Sequence, residues 1–510
     1  MIVLFHQNNK VIEVSFEGES IPFSPKTIAF NLFEIAERYS EQLIIWCRLD
    51  LKPNLNISKV EEIFHHKKIA ASYSLSNPPF LCETIGYVDE SLFLNVKKDI
   101  TYPTWQMSED VGGIHAEVLN ALKNDINIDS DFNYFLHSMA KLALVGGLLC
   151  YSEPLLVKDS SRIEEAAKKN DFLTFRFVKQ HYKMRWVFLL FLNLLIYEKK
   201  FLIFPFLSSF GFRKRNLNRD LLDVVKVQTT RKVIDKKTID VIIPTIGRKK
   251  YLYDVLKDLS KQTHLPENVI IIEQNPDVNS VSELDYLNNE SWPFVIKHSF
   301  THQAGACNAR NLALSEVTSE WVFLNDDDNR FESDLIEKTF ENIQLYGCLT
   351  ALTFYPVSGQ KLVEKKICQS SIFGSGNSFI KATALDKVKF NMSLEFGYGE
   401  DTEFGLQLRH NNFDVIYFPN LVINHLRAPI GGFRTKPILA WRDEVIQPKP
   451  SPTIMFLKLN NLTLQQLLGY KMILFFKFYR IQSIKNPIKY LFNFQKQWKA
   501  SIFWAEKLKG

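Results

Sequence analysis

Paired cysteines, glycine-rich nucleotide loops and a secretion signal are all missing from this sequence of 510 residues. The six cysteines are scattered without a CxxC pair, which argues against a zinc ribbon or a disulfide framework and favours reduced thiols. Met1 to His6 has neither the basic start nor the apolar length of a signal peptide. Since a Walker A motif and a GxGxxG turn after a strand are also absent, an ATP or NAD site is not supported.

Phenylalanine is abundant, with 41 residues against 20 glycines and 20 prolines. Hydrophobic residues make up 46% and charged residues 23%, the mix of an ordinary globular protein. Disordered, collagen-like and coiled-coil classes are therefore excluded. At roughly 150 residues per domain, the length predicts about three domains or two large ones. So much aromatic surface can fill large cores or contact a membrane interface.

Positive charge is concentrated at the carboxyl end. The chain has a net charge of +6, yet residues 454–510 hold ten Lys and Arg and a single acidic residue, Glu506. The apolar run Trp186–Ile196, near Arg213–Arg215, has a similar character, and its eleven residues are short of the about 20 that span a bilayer. A buried helix explains this run equally well. Basic, aromatic segments suit an anionic membrane surface, although they can also suit nucleic acid.

Composition divides the chain into four regions. We expect an N-terminal α/β domain over 1–158, a helical, basic and aromatic connector over 159–236, a domain of alternating strands and helices over 237–436, and a basic, aromatic helical tail over 437–510. In the first region, Gln42–Cys47 and Leu92–Val96 have strand-like patterns.

The third region has the pattern of a parallel α/β sheet. Apolar strands are predicted at Asp240–Pro244, Val269–Glu273, Val295–His298 and Trp321–Leu324, with helices after the first strand and over about 305–317. In open sheets of this kind, ligands bind at the carboxyl ends of the strands. Residues 244–248, 273 and 326–328 all fall at such ends, so a site is predicted there.

Asp326, Asp327 and Asp328 directly follow a buried strand. Like charges this close raise each other's pKa unless something neutralises them, and a bound Mg²⁺ or Mn²⁺ does so with the oxygen ligands it prefers. The alternative is a solvated acidic turn.

A second motif is Phe396–Arg409, in which Glu400 and Asp401 are predicted at a helix start. A carboxylate on an anchored helix can act as a general base, while the alternative is a helix cap with acidic first-turn residues. A third motif is Asn424–Arg427, after a strand over 415–418. His425 is a candidate metal ligand or a structural histidine, and Arg427 can hold phosphate oxygens.

Together these motifs resemble those of family 2 glycosyltransferases with the GT-A fold. The resemblance rests on Asp240–Arg248, Asp326–Asp328, Gly399–Asp401 and His425, in the family's order, and covers about residues 237–432. It implies a mostly parallel, Rossmann-like sheet and an inverting transferase that uses a nucleotide-diphosphate sugar. It also implies a divalent cation, Mn²⁺ or Mg²⁺, and favours UDP by family habit.

The resemblance also implies a role for each matching position. Catalysis falls to Asp401 as the base, with Glu400 beside it. The cation is assigned to Asp328, Asp326 and His425, with Asp326 and Asp328 as the DXD pair, although Asn325–Asp327 is an alternative register. The acceptor is assigned to Gly376 and Asn377. Donor-binding positions are Pro244, Thr245, Arg248, Glu273, Arg310, Asp326, Asp327 and Arg427.

These roles define an expected reaction. Asp401 takes the proton of the acceptor hydroxyl, and the cation and Arg427 stabilise the departing diphosphate. Gly431, Gly432 and Arg434 are predicted to form a lid over the donor. The acceptor is expected to be a growing cell-surface glycan or a lipid-linked sugar, reached by a cytoplasmic protein at the inner face of the membrane, with no nucleic-acid partner.

Two other functions stay open. One is a catalytically inactive GT-A-like scaffold that binds glycan or nucleotide, and the other is a sugar nucleotidyltransferase, which the Glu-Asp helix and the distal histidine disfavour. For the N-terminal region we predict a degenerate GT-A-like domain that binds acceptor or acts as a scaffold. Glu109 and Asp110 are the alternative there, as a second base.

Overall fold

The computed structural model describes residues 1–77, 80–81, 83–161, 163–164, 170–356, 365–428 and 438–509. The chain forms two compact units. The first unit comprises Met1–Thr230 and Lys458–Asn493, and the second comprises Arg231–Leu457 and Phe494–Gly510. The finer division predicted from composition, with boundaries near 158, 236 and 436, stays a prediction.

The first unit is built on a mixed sheet. Its strands are β1 (Ile2–Gln7), β2 (Lys10–Phe16), β3 (Glu19–Ser20), β4 (Leu43–Arg48), β5 (Ile69–Tyr73), β6 (Ser76–Asn77), β7 (Tyr102–Pro103), β8 (Val111–His115), β9 (Leu149–Ser152) and β10 (Ile163–Glu164). Eight of them form one sheet in the order β3-β2-β1-β4-β8-β5-β9-β7, and β6 pairs with β10.

The strand predicted at Gln42–Cys47 is confirmed as β4, whereas the one predicted at Leu92–Val96 is wrong. Leu92–Leu94 forms a 3₁₀ turn instead. The Thr104 hydroxyl donates to the Phe93 carbonyl at 2.6 Å. This hydrogen bond uses a backbone acceptor that, in a strand, would pair with the neighbouring strand.

The helices before the second unit are α1 (Ile28–Arg38), α2 (Val60–Ile63), α3 (Ala116–Leu122), α4 (Phe132–Ala143), α5 (Asp171–His181), α6 (Arg185–Tyr197) and α7 (Ile203–Ser209). Helix α4 shows how they cover the sheet. Asp131 caps its first turn by accepting the Tyr134 N–H, and the Phe132 ring meets the buried Trp46 of β4 edge to face at 5.9 Å between centroids.

The second unit carries strands β11 (Ile239–Thr245), β12 (Asn268–Gln274), β13 (Val295–Thr301), β14 (Trp321–Asn325), β15 (Asn329–Phe331), β16 (Thr350–Phe354), β17 (Cys368–Gln369), β18 (Asn377–Lys381) and β19 (Ile416–His425). Its helices are α8 (Lys249–Leu259), α9 (Tyr286–Asn289), α10 (Ala306–Ser315), α11 (Leu335–Tyr346) and α12 (Glu400–His410). The sheet order is β13-β12-β11-β14-β18-β16-β19-β15, with β17 beside β19.

The predicted parallel core is confirmed, because β11 lies parallel to both β12 and β14, and β12 lies parallel to β13. Strands β11, β12 and β14 consist mostly of buried apolar residues, as expected for strands covered on both faces, whereas β13 at the side of the sheet is exposed or half-buried. Antiparallel β18 then pairs with β14 so that Asn325 lies opposite Asn377. This register brings the aspartates that follow β14 next to the residues that precede β18.

The two sheets share one pairing pattern. In the first unit β1–β4 is parallel, β4–β8 and β8–β5 are antiparallel, and β5–β9 is parallel. In the second unit β11–β14, β14–β18, β18–β16 and β16–β19 have the same orientations in the same chain order. The pair Cys47–Val111 ends the β4–β8 ladder, as Asn325–Asn377 ends β14–β18. The sheets differ beside their first strand, since β1 pairs with the hairpin strand β2 where β11 pairs with the parallel β12.

The carboxyl-terminal helices are α13 (Pro452–Asn461), α14 (Leu464–Ile481) and α15 (Pro487–Lys507). Helix α14 packs on the first unit: the Gln466 amide donates to the Asp89 carbonyl at 3.2 Å and the Ser91 carbonyl at 3.1 Å. Within the second unit, the Ser501 hydroxyl of α15 donates to the Pro450 carbonyl at 2.7 Å. The tail is therefore helical, as predicted, and part of its apolar surface is used for packing.

Asp240, at the start of β11, is a structural residue. It is fully buried and accepts hydrogen bonds from the Thr318 N–H and the Ser319 hydroxyl, both at 2.7 Å. Burial alone would raise the pKa of its carboxyl, but these bonds outweigh burial and lower it. We expect Asp240→Ala to reduce the free energy of unfolding by about 3 kcal/mol at neutral pH, because buried donors lose their acceptor.

Urea denaturation checks this expectation, with the exposed Asp386→Ala as the control, for which a change within about 0.5 kcal/mol is expected. A carboxyl with a lowered folded pKa stabilises above its unfolded pKa and loses this effect as pH falls through the folded value. The difference between wild type and Asp240→Ala should therefore narrow below about pH 4. Equal stability of the two variants at pH 7 would contradict the assigned role.

Candidate active site

The three aspartates that follow β14 have three different surroundings. Asp327 is buried, and its oxygens accept hydrogen bonds from the Thr245 hydroxyl at 2.7 Å and from Arg248 Nη1 at 2.5 Å. Burial raises the pKa of Asp327 to about 6 in spite of the arginine. Asp327 thus joins the end of β11 to the end of β14.

Asp328 is almost fully buried but remains in its charged form. Its Oδ1 lies 3.1 Å from His425 Nε2, and its Oδ2 accepts the Ala428 N–H at 3.0 Å and lies 2.9 Å from Arg248 Nη1. Burial by itself would raise the pKa of Asp328, but the histidine, the backbone N–H and the arginine together lower it.

Asp326, Asp328 and His425 form a group that can hold a metal ion. One ligand atom from each residue lies within 4.8 Å of the other two. Two carboxylate oxygens and one imidazole nitrogen suit Mn²⁺, so the residues present fit a divalent cation. The hydrogen bond to Asp328 raises the pKa of His425, and a cation would therefore compete with a proton for Nε2.

His425 is the last residue of β19, which extends well past the strand end expected near residue 418. It lies opposite Asn329 of β15. The Tyr355 ring stacks on the His425 ring at 5.1 Å, and the Tyr355 hydroxyl donates to the Gly376 carbonyl at 2.5 Å. The Asn329 amide donates to the same carbonyl at 2.7 Å. Sequence reasoning missed Tyr355 and Asn329, which orient a predicted ligand.

Gly376 allows Asp326 to approach the strand end. A Cβ atom at residue 376 would lie 2.0 Å from Asp326 Oδ2, closer than real atoms come. We expect Gly376→Ala to displace this carboxylate and to weaken Mn²⁺ binding about ten- to a hundred-fold in calorimetry. The control is Gly211→Ala, where the nearest atom, Ser208 O, is 3.4 Å away. Unchanged Mn²⁺ affinity in Gly376→Ala would remove Asp326 from the ligand set.

Asp401 and Glu400 open helix α12, where they are predicted. The Ser375 N–H donates to Asp401 Oδ1 at 3.3 Å. Burial raises the pKa of both carboxyls, and the positive charge of Arg310 opposes this rise. A carboxylate with a raised pKa is more basic and is therefore suited to accept a proton.

Arg310 of α10 lies between the two groups of carboxylates. Its side chain is buried, and Nη2 donates to Asp326 Oδ1 at 3.0 Å. The helix that carries it is held at its start by Glu395, which accepts the N–H groups of Cys307 at 3.0 Å and Asn308 at 2.8 Å. In this position Arg310 contacts a predicted metal ligand and acts electrostatically on the predicted base, which the sequence did not reveal.

The other predicted donor positions lie at neighbouring strand ends. Pro244 and Thr245 end β11, and Glu273 lies beside Thr245 on β12. The Glu273 carboxylate accepts a hydrogen bond from the Glu283 N–H at 3.1 Å and lies 2.9 Å from His298 Nε2. The Glu273 carboxylate is therefore held by neighbouring residues of this chain. It lies at the strand ends, where the nucleotide base is predicted to bind.

Two predicted positions are oriented differently from the rest. Asn377 is buried, and its amide donates to the Thr353 carbonyl at 2.8 Å, so this side chain faces the sheet. Arg427 is exposed with a φ of 54°, and it precedes the Ala428 N–H that binds Asp328. Gly431, Gly432 and Arg434, the predicted lid, lie outside the described residues.

The second unit thus has a mixed sheet with a group of residues that can hold a cation and a half-buried acidic helix start near its strand ends. Residues 240–397 match the model of Glycosyl transferase family 2. Over these residues the chain is therefore similar to family 2 glycosyltransferases. This match and the sheet confirm the predicted GT-A fold class.

Curated relatives are similar over part of the chain. A glycosyltransferase of Streptococcus pneumoniae, GlyG, is 24% identical over 106 residues, which are 21% of this chain and 35% of GlyG. An uncharacterised glycosyltransferase of Haemophilus influenzae is 28% identical over 106 residues, 21% of this chain and 34% of that protein. The chain thus spans about a third of the length of these relatives.

Solved structures of S. aureus TarS are also similar to parts of the chain. TarS 1-349 has a TM-score of 0.32 at 18% identity, over 37% of this chain and 60% of that chain. TarS 1-349 in complex with UDP-GlcNAc has a TM-score of 0.34 at 16% identity, over 52% of this chain and 79% of that chain. Among the described residues, no helix is both long and apolar enough to cross a membrane.

Proposed function

We propose that this chain is an inverting glycosyltransferase. It transfers a sugar, a hexosyl unit, from a UDP-linked donor to a hydroxyl of a glycan or lipid-linked acceptor. The observation that carries the proposal is one edge of the sheet. Asp326, Asp328 and His425 converge there, and Asp401 accepts the N–H of Ser375, the residue before Gly376, which lies against Asp326.

The proposed reaction is a single displacement. The acceptor hydroxyl gives its proton to the Asp401 carboxylate as its oxygen attacks the anomeric carbon. The bond from that carbon to the diphosphate breaks, and its electron pair leaves on the diphosphate, so the anomeric centre is inverted. Asp326, Asp328 and His425 would hold a divalent cation, Mn²⁺ or Mg²⁺, whose chemistry there is neutralisation of the diphosphate charge.

Burial supports the role of Asp401. Because a raised pKa makes a carboxylate more basic, Asp401 accepts a proton more readily than an exposed aspartate. The positive charge of Arg310 opposes the effect and limits the rise of the Asp401 pKa. Arg427, exposed one residue before Ala428, is placed to contact the leaving diphosphate in this scheme.

The acceptor is proposed to lie at the inner face of the cell membrane. Basic, aromatic helices in the connector and the tail support peripheral contact with an anionic lipid surface, and no nucleic-acid partner is proposed. An enzyme that acts on lipid-linked sugars from the membrane surface needs such contact to reach its acceptor.

We also propose that the first unit is a non-catalytic counterpart of the second. The shared strand pairing makes Arg48 the counterpart of Asp326, and Asp110 the counterpart of Gly376, each one residue outside the matching ladder ends. Arg48 Nη1 donates to Asp110 Oδ1 at 3.1 Å, and its Nε donates to Asp50 Oδ1 at 2.7 Å. The first unit thus has the ion pair Arg48–Asp110 at the positions where the second unit has the predicted cation ligand Asp326 and Gly376.

The two units also differ at the position of the proposed catalytic base. The Glu109 N–H donates to the side chain of Asn133 at 3.0 Å, as the Ser375 N–H donates to Asp401. Asn133 is the second residue of α4, and Asp401 is the second residue of α12. An amide cannot take the proton that a carboxylate takes, which supports a scaffold or acceptor-binding role over a second base at Glu109 and Asp110.

Calorimetric titration with UDP, GDP and dTDP, each with and without Mn²⁺, tests both proposals. We expect Mn²⁺-dependent binding of UDP to one site per chain. Asp50→Ala, in the first unit, should leave the affinity and the stoichiometry unchanged. Two sites per chain would contradict the non-catalytic first unit. Absence of nucleotide binding would favour the glycan scaffold. In a separate assay, release of diphosphate from a sugar phosphate and UTP would favour the nucleotidyltransferase.

A further inference from the structure

Helices α6 and α7 of the first unit expose large apolar side chains. Phe201, Phe204 and Leu207 are 66%, 76% and 55% exposed. Six more exposed apolar side chains lie between residues 172 and 210, namely Phe172, Met184, Phe188, Leu195, Ile196 and Phe210. Single exposed apolar residues are normal on protein surfaces, whereas such a concentration marks an interaction surface.

Ring contacts make this surface continuous between the two helices. Phe206 of α7 meets Phe188 and Phe191 of α6, with centroids 5.3 Å and 4.9 Å apart. Phe210 meets Phe188 at 5.9 Å, and Phe201 meets Phe191 at 5.8 Å. We call the exposed side of this cluster, residues 184–210, the aromatic face.

Folding of the first unit does not account for the aromatic face. Helix α6 already buries Val187, Leu190 and Leu194 in the core. A helix that is apolar all round is normally covered on all sides, yet α6 leaves Phe188, Leu195 and Ile196 exposed. The outer side of α6 is therefore expected to be covered by a partner.

Positive charges border the aromatic face. Exposed Lys183 and Arg185 lie at the start of α6, Lys199 lies just beyond its end, and exposed Arg213 and Lys214 follow α7. Residues 171–214 hold eight Lys and Arg against two acidic residues. Arg215, which the sequence placed with this group, instead points inward and pairs with Asp129 at 2.7 Å.

We propose that the aromatic face docks on an anionic lipid surface. Aromatic and aliphatic side chains enter the boundary between headgroups and acyl chains, and the bordering lysines and arginines meet lipid phosphates. With 13 residues, α6 is about 20 Å long, which suits a helix lying in the interface. The proposal concerns the surface alone and does not depend on which sugar the second unit transfers.

Flotation of the full chain with lipid vesicles tests the proposal. We expect binding to phosphatidylcholine vesicles that contain phosphatidylglycerol and weak binding to phosphatidylcholine alone. Phe201→Ser/Phe204→Ser/Leu207→Ser should weaken binding at least about tenfold. Arg213→Gln/Lys214→Gln should weaken it about twenty-five-fold, since each basic residue near an anionic surface contributes about fivefold.

The matched control is Ile57→Ser/Val278→Ser/Val281→Ser, which removes three equally exposed apolar side chains elsewhere. It should float like the wild type, and all variants should keep the wild-type circular dichroism spectrum and UDP affinity. Loss of vesicle binding with retained nucleotide binding separates this surface from the transfer site.

Three results would overturn the proposal. One is binding that does not depend on phosphatidylglycerol, and another is equal binding of the triple serine variant and the control. The third is a wild-type dimer in size-exclusion chromatography that dissociates in the triple serine variant without vesicle binding. That result would assign the aromatic face to a second copy of this chain.

Discussion

Asp401→Asn is expected to lower kcat for sugar transfer by about 10³-fold, with donor binding unchanged. The substitution keeps the size of the side chain and its acceptor for the Ser375 N–H, but removes the group that takes the acceptor's proton. General base catalysis contributes about 10² to 10⁴ in rate, and the expected loss is the middle of this range.

The matched control is Glu403→Gln on the same helix. Burial also raises the pKa of Glu403, but its carboxylate is engaged by Gln407 in the next turn. Transfer by Glu403→Gln should stay within a few-fold of wild type. Wild-type kcat should fall as pH decreases through the raised pKa of Asp401, because the protonated acid is not a base. Full activity of Asp401→Asn would exclude it as the base.

Asp328→Ala is expected to abolish Mn²⁺-dependent nucleotide binding, with a loss of at least about 10²-fold in Mn²⁺ affinity. Asp328 offers a buried, charged carboxylate directly beside His425, and its removal also leaves the Ala428 N–H without its acceptor. Calorimetry with Mn²⁺, alone and with UDP, measures both effects.

Asp327→Asn separates the two possible registers of the acidic cluster. In the structure Asp327 is held by Thr245 and Arg248, so this variant should keep most of the Mn²⁺ affinity. The control is Asp334→Ala, which removes a half-buried aspartate that pairs with Lys338 on helix α11. Loss of Mn²⁺ binding in Asp327→Asn, with binding retained in Asp328→Ala, would assign the metal to the alternative register.

Local patterns predicted the core of the second unit well. Continuous apolar runs such as Val269–Ile272 are typical of strands buried on both faces, and polar residues follow them at the sheet edge. The acidic helix start at Glu400 and Asp401 was equally readable, because helix caps are local. Short apolar runs were less reliable, as the 3₁₀ turn at Leu92–Leu94 shows.

Residues brought together by long-range pairing were not predictable in this way. Tyr355 reaches His425 only because β16 and β19 are neighbours in the sheet, and no spacing along the chain encodes this. Arg310 is similar, since its contact with Asp326 depends on how α10 packs. The inward orientation of Asn377 follows from strand register, which a single sequence does not specify well.

The dipeptide Ser375–Gly376 of the second unit contacts both the predicted base and a predicted cation ligand. The N–H of Ser375 donates to Asp401. The absence of a side chain at Gly376 leaves room for Asp326, and the Gly376 carbonyl accepts a hydrogen bond from the Tyr355 hydroxyl. Consecutive Cα atoms are about 3.8 Å apart, so the contacts to the predicted base and to the predicted cation ligand lie on neighbouring residues of one short segment. A change in the backbone of this segment is therefore expected to disturb both predicted roles together.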